Sequence, residues 1–283
     1  MIARGFIVLF ALAGCDKLFL GKEPPDALTA EDISSRPFDT PVPFANLNTS
    51  GDEDRATLTS DLLHLVFHRG GVLMASSRTR VDADFDPPLP ITELTDTKQT
   101  VRGCISRDGK RLYFSREVDG GNRSDFDIFV TTRPAVDAAW EPPHALDELT
   151  TMFPDGDERC GWESPDATTL LISTTFYASQ DIVKLGRTAP GTRFISFDPQ
   201  IDFNSGDREG APWATADASI VVFDRTDPNG NVMLWQGTLQ GTRYAVRPLS
   251  ELGLPGRNGS PWLSDDGRTM VFTHENDLYI ATR

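Results

Sequence analysis

Acidic side chains are the most abundant chemistry-bearing groups in this 283-residue chain: 42 Asp and Glu stand against 27 Lys and Arg, a formal charge of −15. They fall in short runs, Asp52-Glu53-Asp54, Asp155 with Asp157-Glu158, and Asp207 with Glu209, and Arg102 and Arg159 lie in similar stretches. A pair of carboxylates across a pocket is the machinery of glycosidic bond hydrolysis, one acting as acid and the other as base or nucleophile. Glu158, Glu163 and Glu209 are the candidates for that work. The same acids can instead grip a cation, a basic peptide or a sugar. The plainest reading is that they are wet loop residues partly paired with their arginines.

Other groupings are weaker. Asp82-x-Asp84-x-Asp86 with Glu93 has the acidic spacing of a calcium loop, but Pro87 stands where that loop needs glycine. A solvated acidic turn is expected there, and no metal. Of the four histidines, His64, His68, His144 and His274, only His64 and His68 sit on one strand face, two strand periods apart. Exposed strand positions explain them better than a two-ligand site does. No nucleophile elbow, phosphate loop or dinucleotide fingerprint occurs, so no catalytic residue and no cofactor is assigned. The negative charge argues against nucleic acid as a partner.

The elements that position these groups repeat. A strand ending Ser/Thr-x-Asp, a turn, a strand and a further strand recur five times, with the aspartates at Asp61, Asp108, Asp166, Asp217 and Asp266. Four residues beyond each stands Leu65, Leu112, Leu170, Val221 or Met270, and six beyond stands Phe67, Phe114, Ile172, Phe223 or Phe272. That spacing puts both side chains on one face of a strand. Asp108-Gly109 and Asp266-Gly267 are tight-turn dipeptides, whereas Leu62, Ala167 and Ala218 replace the glycine elsewhere, which predicts a different turn type in those copies. Trp162, Trp213 and Trp262, with Thr57 and Cys104 in the other copies, form a column suited to filling the wedge between blades. An outer strand follows each repeat, marked by Phe85/Leu94, Trp140/Leu149, Phe194/Phe203 and Tyr244/Leu252. The fifth repeat ends at Arg283 without one, while Phe38 and Leu47 supply an orphan outer strand at the front.

The fold predicted is therefore all-β: a five-bladed β-propeller over 37–283, with four-stranded antiparallel blades and a ring closed by the N-terminal strand. In such a ring the acidic runs converge near one mouth of the channel, where Glu53, Arg102, Glu158, Arg159 and Glu209 are the candidate binding residues. Cys104 and Cys160 fall on the inner strands of adjacent blades, where either a disulfide or a small buried thiol is expected.

The repeat, clearest from Ser106 to Ser115 and from Ser264 to Phe272, resembles that of TolB-like propellers, relatives of WD-repeat propellers. Only Ser164-Pro165-Asp166 keeps the family's Pro-Asp pair. The resemblance implies a binding platform in the bacterial envelope.

The N-terminus agrees with that address. Arg4, the apolar stretch Phe6 to Leu12, and Leu12-Ala13-Gly14-Cys15 look like a bacterial lipoprotein signal, with 1–14 removed and Cys15 lipidated. The segment 15–36, which contains Pro24-Pro25, is expected to be a flexible tether. The expectation is a non-catalytic lipoprotein anchored to the membrane through its lipid, facing the periplasm or cell surface and binding an envelope protein or glycan. The alternative is a glycan-processing enzyme using channel carboxylates.

Overall fold

The computed structural model describes residues 29–283 except 96–97, 119–124 and 178. The predicted signal segment and Cys15 lie outside the described residues. Five four-stranded antiparallel sheets surround a central channel as the blades of a propeller. Blade one comprises β2 (Glu53–Leu58), β3 (His64–Arg69), β4 (Val72–Ser77) and β5 (Leu89–Pro90), after a closing strand β1 (Val42–Pro43). Blade two holds β6 (Thr100–Ile105), β7 (Arg111–Val118), β8 (Asp125–Thr132) and β9 (His144–Ala145). Blade three holds β10 (Glu158–Glu163), β11 (Thr169–Tyr177), β12 (Ser179–Gly186) and β13 (Ser196–Pro199). Blade four holds β14 (Arg208–Ala214), β15 (Ile220–Thr226), β16 (Val232–Gln240) and β17 (Arg243–Pro248). Blade five holds β18 (Asn258–Leu263), β19 (Thr269–His274) and β20 (Asp277–Thr282), with β1 as its outer strand.

The apolar columns make the core. All ten residues four and six beyond the repeat aspartates are essentially inaccessible, at 0–1 %. Each contributes about 1.5–3 kcal/mol relative to leaving it exposed. Trp162, Trp213 and Trp262 are buried as the wedge argument requires.

Ring closure rests on a short strand and a longer set of clasps. Val42 and Pro43 pair with Ile280 and Tyr279. Asn48 holds both backbone groups of Leu278: its Nδ2 donates to the carbonyl at 3.0 Å and its Oδ1 accepts from the amide at 2.8 Å. Phe38 and Leu47 are buried on either side.

The turns depart from expectation. The residue after the repeat aspartate is left-handed in every blade: Leu62 at φ 62°, Gly109 at 68°, Ala167 at 54°, Ala218 at 55° and Gly267 at 70°. One turn type therefore serves all five copies, and glycine is not what selects it. In each, the Ser or Thr hydroxyl donates to the aspartate Oδ1 at 2.5–2.8 Å. The same oxygen accepts the amide two residues on at 3.0–3.1 Å. This clamp offsets the ~1–2 kcal/mol that a Cβ costs in the left-handed region.

The folded unit also begins earlier than the repeat does. Within the segment read as a tether, Ala30–Ser34 forms a helix, α1, capped by Thr29, whose hydroxyl accepts from the Asp32 amide while Asp32 reaches back to the Thr29 amide. Its carbonyl at Ser34 accepts from Arg247 Nη2 at 2.9 Å and Gln236 Nε2 at 3.3 Å, and Ile33 packs on the core. Residues 29–36 are thus seated on blade four.

Candidate functional site: the charged mouth of the channel

The inner strands β2, β6, β10, β14 and β18 start at one face of the ring. Eight residues before each repeat aspartate stand Glu53, Thr100, Glu158, Glu209 and Asn258; eight beyond stand Arg69, Arg116, Thr174, Arg225 and His274. These columns meet across the first hairpin of each blade. Arg69 Nε lies 2.6 Å from Glu53, Arg225 Nε lies 2.8 Å from Glu209, Arg116 Nε donates to Thr100 at 3.3 Å, Thr174 donates to Glu158 at 3.1 Å, and His274 meets Asn258 at 3.0 Å. Glu53 also accepts the Thr49 hydroxyl and amide, and Glu209 accepts those of Ser205. The Arg69 and Arg225 forks then donate to the carbonyls of Leu47 and Phe203.

Glu53, Glu158 and Glu209 are accordingly 0, 1 and 0 % exposed. Glu53 and Glu209 brace their blades to the loop before, and Glu158 is held by Thr174 within its own blade; Glu53 also lines the cavity at the mouth, whereas Glu158 and Glu209 do not.

Glu163 is similar. It occupies a column filled by Leu58, Ile105, Ala214 and Leu263 in the other blades. Its carboxylate takes Arg111 at 2.9 Å, Arg187 at 2.9 Å and the Tyr113 hydroxyl at 2.8 Å, joining blades two and three. Burial first, and then the Glu163 charge, push the Tyr113 hydroxyl well above the usual phenol range. Burial works against the Arg111 charge, but its bonds to Glu163 more than offset this and raise its pKa.

A bulge then re-aims the inner strand. Register slips between Asp54 and Thr57, Val101 and Cys104, Cys160 and Glu163, Gly210 and Trp213, and Gly259 and Trp262. Arg55, Arg102, Ala211 and Ser260 are left-handed at these steps, with φ of 51–56°. Such bulges redirect a side chain at the cost of local strain.

The result is a cavity of about 400 Å³ at this mouth, whose lining includes Asp54, His68, Arg102, Gln180, Arg208 and Asp224. Its charges are mixed and close. Burial, then Arg159, depress Arg102, while Asp54 and Asp224 sustain its charge. Burial works against the Asp54 carboxylate, but Arg102 and the Ser260 and Thr273 bonds hold its pKa below the ordinary value. Asp224 accepts the Ser260 amide at 2.8 Å, and Thr273 Oγ1 donates to Asp54 at 2.8 Å.

Deeper in, Arg55 donates from Nη2 to the Cys160 carbonyl, and its Nε and Nη1 have no partner. Burial and the neighbouring Arg102 bring its pKa down to about 9. Arg159 is engaged by Asp157 at 2.6 Å and lies over the Phe126 ring.

Of the five residues expected at the mouth, Arg102 and the buried Glu53 line the cavity, Arg159 is paired beside it, and Glu158 and Glu209 are buried within the ring. Asp54 lies in an acidic run that the sequence sent to this mouth, whereas Asp224, Gln180 and Arg208 were missed. Arg55 and Arg102 share a column, six residues before the aspartate, and that alignment was the available signal.

Cys104 and Cys160 form a disulfide between β6 and β10, with Cα atoms 6.4 Å apart. His64 and His68 do not form a ligand pair. A step of four positions along the strand puts them about 13 Å apart, and His68 lines the channel cavity while His64 lines a groove between blades one and two. Asp82 is paired with Arg80 at 2.5 Å on the surface. Phe85, in the middle of that acidic run, is buried. Among the described residues no helix is long and apolar enough to cross a membrane.

Fold and mouth together define the class: a five-bladed β-propeller whose channel opens into a pocket of mixed charge. Solved structures share that fold. A putative TolB from Agrobacterium tumefaciens superposes with a TM-score of 0.52 at 17 % identity, over 80 % of this chain and 71 % of that one. TolB from Acinetobacter baumannii gives 0.52 at 12 % identity, over 84 % of this chain but only 56 % of that one. The catalytic domain of a Coprinopsis cinerea GH62 α-L-arabinofuranosidase gives 0.55 at 9 % identity, over 88 % and 97 %. No family model matches the sequence, and no curated protein does.

Proposed function

We propose that this chain is a non-catalytic binding platform, held at the bacterial cell envelope by a lipid on Cys15, whose channel mouth takes up a segment of a partner protein. One observation carries the reading: of the glutamates that hydrolysis would need, Glu163 and Glu209 are tied to arginines and Glu158 is buried against Thr174, while Arg102, Arg208, Asp54 and Asp224 line the open cavity. A glutamate gripped by arginines cannot turn to a substrate without leaving buried charge unpaired. Mixed charges on an open mouth suit recognition of a polar segment, adding specificity and on-rate. The likeness to TolB propellers supports a protein partner.

The test is cross-linking and affinity purification from native membranes with wild type, Cys15→Ala and Arg208→Glu. Arg208 is exposed, and its side chain bonds to Gln180 at 3.1 Å. The expected result is a partner that is reproducibly recovered, diminished without the anchor and lost on charge reversal at the mouth. The reading is overturned if no partner appears and the protein instead releases sugar from envelope polysaccharide in a manner abolished by Asp224→Asn. That outcome would install the glycan-active alternative, which the likeness to the arabinofuranosidase fold favours.

A further inference from the structure

The grooves between neighbouring blades are built to one plan, and one groove breaks it. After the third strand of four blades comes an arginine, Arg78, Arg133, Arg187 or Arg283, that reaches into the groove. Each guanidinium lies over the outer aromatic beside it: Phe85 at 4.4 Å, Trp140 at 4.1 Å, Phe194 at 4.6 Å and Phe38 at 4.3 Å. Each Nε donates to the carbonyl just after the repeat aspartate, on Leu62, Gly109, Ala167 or Gly267, at 2.6–2.8 Å.

In blade four the backbone register is kept, with the Leu239 amide donating to the Ser219 carbonyl at 2.8 Å, but the residue is leucine. Tyr244 is the aromatic there, and its hydroxyl takes the Ala218 carbonyl at 2.6 Å, where an arginine would otherwise bond. The groove between blades three and four is left open at about 520 Å³. Those entered by Arg187, Arg78 and Arg133 measure about 370, 350 and 320 Å³. The groove between blades four and five is closed by Arg283, which donates to Gln236, and by α1.

The open groove suits a cation. Its floor is aromatic, with the Phe203 and Tyr244 rings 4.7 Å apart and Trp162 in the wall. Its rim carries Asp166 and Asp217. The Ser164 hydroxyl and the Thr168 amide hold Asp166 below the usual carboxylate range. Burial works against Asp217, but its bonds to Ser219 and Thr215 win and lower it too. Both are ionised at neutral pH, and both direct only Oδ1 to the turn. Lys184, the cation on the wall, lies 3.5 Å from Asp198.

We propose that this groove receives an arginine side chain presented by a partner protein. The chain itself shows the fit four times over, a guanidinium stacked on the outer aromatic of a blade. Here the aromatic and two carboxylates are present and the arginine is not. A planar guanidinium both stacks and bonds in a fork, which an ammonium does not. The site stands apart from the channel mouth, because the Ser/Thr-x-Asp turns lie at the opposite ends of the inner strands.

The test is an NMR titration of the intact propeller with N-acetyl-arginine amide. Saturable shifts confined to Trp162, Tyr244 and the 216–219 turn are expected, and N-acetyl-citrulline amide should not produce them. Leu239→Arg puts the chain's own arginine into the groove at a residue already 37 % exposed. It should weaken binding about tenfold or more, the scale of one charge-assisted contact. Asp166→Asn should weaken it about threefold, the scale of an exposed ion pair, and carries the test alone if the Leu239→Arg chain fails to fold. The proposal is overturned by no shifts at these residues, by equal shifts with citrulline, or by shifts spread over the acidic surface that neither variant changes.

Discussion

The two ends of each inner strand follow different rules. At the far end all five blades carry the same turn, hydroxyl to carboxylate to amide, with a left-handed residue whether or not it is glycine. At the near end the blades diverge, and no pair of neighbouring positions is the same in two of them. Seven residues before the aspartate stand Asp54, Val101, Arg159, Gly210 and Gly259, and six before stand Arg55, Arg102, Cys160, Ala211 and Ser260. One end is held constant because every blade must close its first hairpin there. The other is released because its side chains face the channel, and it carries a buried arginine with two unpartnered nitrogens. Uniformity marks what stabilises the ring, and irregularity marks the mouth to which the proposed function assigns binding.

The harshest way to break this contrast is to remove the ring closure. Deleting residues 36–49 removes Phe38, Leu47, β1 and the Asn48 clasp, and should cost more than about 5 kcal/mol of stability. A thermal melt by circular dichroism checks it; an unchanged midpoint would show that the ring does not depend on that strand. Next, Glu209→Ala leaves the half-buried Arg225 without its partner and should cost about 2–4 kcal/mol by urea denaturation. A cost under 1 kcal/mol would return Glu209 to the list of available acids.

Replacing Cys104 and Cys160 together by serine should cost about 2–4 kcal/mol, because the bond closes a loop across 56 residues. Reduction of the wild type should match it. At the near end the sign reverses. Arg55→Met removes a charge that burial disfavours, and should stabilise the fold by about 1–3 kcal/mol while weakening partner capture. Destabilisation there would mean that Arg55 holds the channel together.

The mildest effect is acid sensitivity. Asp108, Asp166 and Asp217 have pKa values lowered in the folded state, Asp108 and Asp217 despite partial burial, by the hydroxyl and amide bonds of the turn. A depressed carboxylate stabilises above its unfolded pKa and loses that contribution as pH falls through the folded one. Stability should therefore stay level from pH 7 to about 5 and decline below about pH 4. A Ser164→Ala chain, which lacks one of those bonds, should decline less steeply.

The number of blades, their core and the manner of closure were all legible in the chain's residue order. Strand alternation and the Ser/Thr-x-Asp turn act over a few contiguous residues, so Leu65 and Phe67 and their four counterparts could be read without knowing what they touch. The brace of Glu209 by Arg225 was also present at constant spacing, but its acids look like loop charges until the hairpin folds them together. Other features had no constant spacing to show. Arg78, Arg133, Arg187 and Arg283 follow their aspartates by 17, 25, 21 and 17 residues, because the hairpins between differ in length. Only the tertiary structure put them in equivalent grooves. Nor does a bulge mark itself in a sequence: it moves every later side chain to the other face without inserting a recognisable residue. The channel mouth assembles Arg102, Gln180, Asp224 and Asp54 from four blades. Which of these charges meet was decided by ring geometry alone.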